Sequence, residues 1–81
     1  MEYTYQTHGT CSRVIHFSIE DGKITGVSFE GGCNGNLQGI SRLVEGMEPA
    51  EAIRRLRGIR CGMKSTSCPD QLATALEQAT A

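Results

Sequence analysis

Ile15-His16-Phe17-Ser18-Ile19-Glu20-Asp21-Gly22-Lys23-Ile24-Thr25-Gly26-Val27-Ser28-Phe29-Glu30 alternates apolar or branched residues with polar ones on both sides of an Asp-Gly pair. Period two marks half-buried strands, and Asp-Gly is a hairpin signal. A two-residue loop there would oppose Phe17 to Gly26 and send Val27 and Phe29 to the face opposite Phe17. The register therefore has to shift by one. A three-residue loop over Asp21, Gly22 and Lys23, with Gly22 at positive φ, is expected to pair Phe17 with Val27 and Ile15 with Phe29. Tyr3 and Tyr5 carry the same alternation upstream and add an N-terminal strand.

After Gly31-Gly32 the period lengthens to that of a helix. Leu37, Ile40, Leu43 and Val44 form one stripe that stops at Gly46. Pro49 opens a second helix carrying Ala52, Ile53 and Leu56 inward until Gly58, and a third begins near Cys68-Pro69-Asp70-Gln71 and buries Leu72, Ala73, Leu76 and Ala79. Strands followed by helices predict an α+β fold: a small antiparallel sheet, the hairpin plus an N-terminal strand, with three helices packed on one face.

The 81 residues leave room for one domain, expected over residues 1–81. A folded state of this size is worth on the order of 10 kcal/mol, so a bound metal would be a large share of its stability. With 8 basic and 9 acidic residues the chain lacks the field of a general nucleic-acid binder. No apolar run is long enough to span a membrane, and Met1-Glu2-Tyr3-Thr4-Tyr5 does not read as a signal peptide. A cytoplasmic chain is expected, and in that compartment thiols stay reduced.

All four cysteines, Cys11, Cys33, Cys61 and Cys68, fall at element ends and none on an apolar stripe. Core cysteines would sit on the stripes, whereas loops display ligands. Cys33 and Cys68 precede helices, where unpaired N–H groups and the helix dipole favour a thiolate. Pro69 at the first helical position would make Cys68 the capping residue. There is no Cys-x-x-Cys pair, so a zinc ribbon is unsupported. A four-thiolate site for zinc or an iron–sulfur cluster, a redox dithiol, and simple burial are the three readings the residues allow.

Thr66-Ser67-Cys68-Pro69-Asp70 spells the string that names the TSCPD domain, and with Cys11 and Gly31-Gly32-Cys33-Asn34-Gly35-Asn36 the chain resembles that family over nearly its whole length. Members occur as short four-cysteine proteins and at the end of adenosylcobalamin-dependent class II ribonucleotide reductases. The resemblance implies a context in deoxyribonucleotide synthesis, with adenosylcobalamin entering only through the parent reductase. It also implies ribonucleotide reductase, or another protein, as partner. Eighty-one residues cannot enclose the radical chemistry of that enzyme, so the expected role is an accessory one. The implied ligands are Cys11, Cys33, Cys61 and Cys68, for zinc or an iron–sulfur cluster; the alternative is a thiol–disulfide relay through Cys61 and Cys68.

The order of hairpin, Gly-Gly-Cys, helices and a final cysteine-headed helix is also similar to NifU-type iron–sulfur scaffolds, giving a NifU/SufE-like architecture. Cys11, Cys33 and Cys68 fall on the three scaffold cysteines. Arg13 stands where the scaffold has Asp, Ser67 where it has His, and Cys61 has no counterpart. Arg13 would offset thiolate charge, and a fourth thiolate favours a retained site over cluster release.

Other features have plainer readings. The glycine-rich turn around Cys33 lacks the Gly-Lys-Ser/Thr ending of a phosphate loop. Arg54, Arg55, Arg57 and Arg60 read as a solvated helix face that Glu48 and Glu51 can pair. His16 should face away from the apolar side of the hairpin, and His8, three residues before Cys11, would join the site only in place of a missing cysteine; both read as ordinary surface residues. Met47 and Met63 read as packing residues. No histidine is placed with an acid to activate a nucleophile, which disfavours hydrolytic chemistry.

Overall fold

The computed structural model describes residues 1–32 and 34–81. Strands β1 (Glu2–Gln6), β2 (Ser12–Glu20) and β3 (Lys23–Gly31) precede helices α1 (Asn34–Val44), α2 (Pro49–Leu56) and α3 (Cys68–Thr80). The sheet is antiparallel in the order β1-β2-β3. This is the α+β arrangement that the change of period predicts.

The hairpin shifts its register by another device than the expected one. Glu20 pairs with Lys23, so the loop holds only Asp21 and Gly22, with φ of 53° and 75°. Two left-handed residues make the turn whose twist matches the strands, and Asp tolerates that conformation. The shift comes further in. Ser18 pairs with Thr25 but His16 with Ser28, so Phe17 is opposed by both Gly26 and Val27. Gly26 takes φ of 61° and donates its N–H to Glu45 Oε1 at 2.9 Å. A bulge at a glycine thus returns Val27 to the face of Phe17, and Ile15 opposes Phe29 as expected. A second bulge, at Arg13 on β2, brings Ser12 opposite Gly31.

Ile15, Phe17, Ile24, Val27, Val44, Ala52, Leu72, Ala75 and Leu76 form the core, with Tyr3, Tyr5, Ile40, Ile53, Leu56 and Ala79 packed against it. Each fully buried aliphatic side chain contributes about 1.5–3 kcal/mol before entropy is counted. The Tyr3 ring stacks on Phe17 at 5.2 Å, which fixes β1 to the sheet. Gly46, at φ 81°, turns the chain after α1 so that Gly46 and Met47 bond the free edge of β3 at Ile24.

Leu43 departs from the expected stripe. It is 77% exposed, because Leu37 and Val44 alone of the α1 stripe are buried and Leu43 projects to the side of the helix away from β3. Met63 is likewise fully exposed rather than packed.

Candidate thiol site

The site is built from the start of α3. Ser67, not Cys68, is the N-cap: its hydroxyl oxygen accepts from the Asp70 N–H at 3.2 Å, so Cys68 is the first helical residue and Pro69 the second. A serine oxygen is the better acceptor for that N–H, and Pro is tolerated wherever the helix leaves N–H groups free. The Ser67 hydroxyl in turn donates to Ile59 O at 2.6 Å. The Thr66 hydroxyl donates to Asp70 Oδ2 at 2.5 Å, and Asp70 Oδ1 accepts the Gly58 N–H at 2.7 Å. Those two hydrogen bonds, with Arg57 and Arg60 nearby, hold the Asp70 carboxyl below its usual range against the opposing effect of burial. Gln71 is buried, donating to Thr66 Oγ1 and accepting the His8 N–H at 3.0 Å. The chain from Gly58 to Thr66 and the loop between β1 and β2 are thereby pinned to one helix end.

Cys68 is half-buried, with Sγ 3.2 Å from Ser12 Oγ, which lies 3.3 Å from Thr10 Oγ1. Burial pushes the Cys68 thiol up, but hydrogen bonds from the side chain and backbone of Ser12, the Thr10 hydroxyl and the Cys11 backbone outweigh it and leave the thiol below its ordinary value. Cys11 is exposed, and Lys64 Nζ approaches its Sγ at 3.7 Å. Cys61, also exposed, sits in a turn in which its N–H donates to Thr66 O and its carbonyl accepts from Lys64 N–H. Cys11, Cys61 and Cys68 all line one concavity of about 500 Å³, walled by Leu37, Ile40 and Leu43 of α1 and by Ile59 and Pro69.

Cys33 lies outside the described residues, so the four-cysteine set is placed for Cys11, Cys61 and Cys68 only. Gly35 and Asn36, which follow it, line the same concavity. Among the described residues no three His, Cys, Asp or Glu side chains stand close enough together to hold a metal ion.

A family model described as the TSCPD domain matches residues 2–80. The chain belongs to the TSCPD family. No curated protein and no solved structure matches it. The string naming the family has a physical reading here: Thr66, Ser67 and Asp70 lock the helix start that presents Cys68. No helix of this TSCPD domain, among the described residues, is long and apolar enough to cross a membrane.

Of the residues expected near the cysteines, Arg13 is not among those lining the concavity. Arg13 sits at its bulge beside Gly31, and the cations lining the concavity are Arg60 and Lys64. His8 is exposed and uses its backbone N–H, with Gln71 as partner. His16 faces away from the core as expected, with Nε2 2.5 Å from Glu30 Oε2 and Nδ1 3.3 Å from Thr4 Oγ1. The sequence reading missed Ser12 and Thr10 as partners of Cys68. Their signal was hydroxyl residues on both sides of Cys11, legible only once β2 is known to run beside α3.

Proposed function

We propose that this TSCPD domain is a metal-binding accessory domain whose ligands are Cys11, Cys33, Cys61 and Cys68. The observation that carries the reading is the placement of Cys11, Cys61 and Cys68, remote in sequence, around one concavity. An all-thiol donor set suits zinc or an iron–sulfur cluster, and either would supply a cross-link between the loops and α3. Cys68 is the preset ligand, since its hydrogen bonds already favour the thiolate that binds metal. Cys11 and Cys61 are exposed and free to close on it. Lys64 offsets part of the negative charge that several thiolates bring together. The proposed client is a class II ribonucleotide reductase or another protein, and the proposed setting is deoxyribonucleotide synthesis in the cytoplasm.

Anaerobic purification with elemental analysis and a visible spectrum tests the reading. One zinc per chain without colour supports a structural zinc site; iron, sulfide and broad visible absorbance support a cluster. Metal-free protein that keeps full stability in chelator overturns both. The second reading is a thiol–disulfide relay through Cys61 and Cys68, favoured by their shared place on the concavity wall; peptide mapping after mild oxidation identifies whether these two cysteines pair.

A further inference from the structure

The walls of the cysteine concavity carry apolar surface that the fold does not use. Leu43 is 77% exposed and Ile59 42%, and both line it; Met63, in the same loop as Cys61 and Lys64, is fully exposed. Apart from Met1 these are all the exposed large hydrophobic side chains among the described residues. Exposed apolar side chains scattered singly need no explanation, but Leu43 and Ile59 share one opening, with Met63 in the loop between the lining residues Cys61 and Lys64, and together they mark an interaction surface.

Charge narrows what fits. The charged side chains lining the concavity, among the described residues, are Arg60 and Lys64, with no carboxylate, in a chain of net charge -1. The arginines beside them in sequence are already matched: Arg54 and Arg55 share Glu51, and Arg57 meets Glu77 at 2.5 Å. Arg60 and Lys64 thus share the concavity wall with the exposed apolar side chains of Leu43 and Ile59. A second copy of this chain docked face to face would oppose Arg60 and Lys64 to their own equivalents, a repulsive arrangement.

We propose that the rim formed by Leu43, Ile59, Arg60 and Lys64 is the docking surface for an acidic amphipathic segment of another protein. Its apolar side chains cover Leu43 and Ile59 while its carboxylates meet Arg60 and Lys64. This docking role rests on reading the concavity as the working site and names the chemistry of the partner that reaches it. Docking there covers the exposed thiols of Cys11 and Cys61, so partner and cysteines meet in a space from which water is excluded.

The test is selection of linear peptides from a random display library on the full chain, followed by titration of the synthetic peptides selected. Peptides rich in Asp and Glu interspersed with Leu, Ile or Phe are expected, with affinity that falls as salt rises. Leu43→Glu, at a position exposed enough not to disturb the fold, should weaken binding about tenfold or more, while circular dichroism stays that of the wild type. Binders without acidic character, binders indifferent to Leu43→Glu, or no binders at all overturn the proposal. So does a concentration-dependent dimer that Leu43→Glu dissolves, which would make the occupant a second copy. Parallel titrations before and after chelation separate the two readings: a metal-free chain that binds acidic peptides keeps the docking surface and loses the metal site, and the converse result does the reverse.

Discussion

The two sides of the cysteine concavity are held very differently. On the α3 side, Thr66, Ser67 and Gln71 are buried and their side chains, with that of Asp70, are tied to partners from Gly58 round to His8. On the facing side, Cys11, Cys61 and Lys64 are exposed, and the side-chain contact there is the long approach of Lys64 to Cys11. The Cys68 sulfur is hydrogen-bonded before anything binds, whereas the side chains of Cys11 and Cys61 are exposed. That asymmetry suits a site in which a rigid ligand sets the geometry and looser ones close on it.

The comparison breaks first at the core beneath the rigid side. Leu72 is fully buried one turn after Cys68, and Leu72→Ala should cost about 3 kcal/mol through lost burial and the cavity left behind. Chemical denaturation with unchanged slope would register the loss. A cost under about 1 kcal/mol would mean that the start of α3 is not seated on the core as described. Asp70→Ala comes next, at about 2 kcal/mol, because it frees the buried Thr66 hydroxyl and the Gly58 N–H together. Amide exchange at Gly58 should speed up in this variant. Lys64→Ala, on the loose side, should move stability by less than about 0.5 kcal/mol; equal losses for the two would dissolve the distinction between the sides.

These differences trace how much the sequence disclosed. The alternation through Ile15, Phe17, Val27 and Phe29 required a one-residue shift, and that requirement is met; its location was hidden, because Gly22 and Gly26 are both able to supply a positive φ. Asp21 joining the left-handed turn decided in favour of the shorter loop. The helices were legible from their period, yet Leu43 was assigned inward, since a stripe does not say how wide a face its neighbours cover. The cysteines were recognised as peripheral from their absence on stripes. The hydroxyl bonds at Cys68 could not be read, because Thr10 and Ser12 reach it only through the pairing of β2 with β3 and the packing of α3.

A smaller effect of opposite sign sharpens the comparison on the α1 wall. Gly39 is in the middle of α1 without a positive φ, and a Cβ there would meet no atom within 4 Å. Gly39→Ala should therefore stabilise the isolated chain by about 1 kcal/mol, seen as a higher Tm. Its position on the concavity wall gives the glycine a use that the chain's own packing does not require, namely close approach by what docks there. Stabilisation together with weaker binding of the selected acidic peptides is the expected pair of results; stabilisation with unchanged binding would place the docked segment further toward Leu43.

The smallest effect lies on the outer arginine face, where charges are matched rather than offered. Arg54 and then Arg55 hydrogen-bond the Glu51 carboxylate and lower its pKa from 4.5 to about 2. A depressed carboxyl value stabilises the fold above the ordinary pKa, and that contribution fades as pH falls from about 4.5 toward 2. Because the group is at the surface, salt screening keeps the contribution small. A carboxyl carbon NMR titration of Glu51 should have its midpoint near 2 at low ionic strength and move upward with added salt. Replacing Glu51 with Gln should flatten the acid limb of the stability profile slightly and free Arg54 and Arg55. If acidic peptides then bind Glu51→Gln at a second place, the cation pairing on this face is what confines docking to the concavity; a Glu51 midpoint at the ordinary value would show that Arg54 and Arg55 are not held by Glu51, and the contrast between the two surfaces would fail.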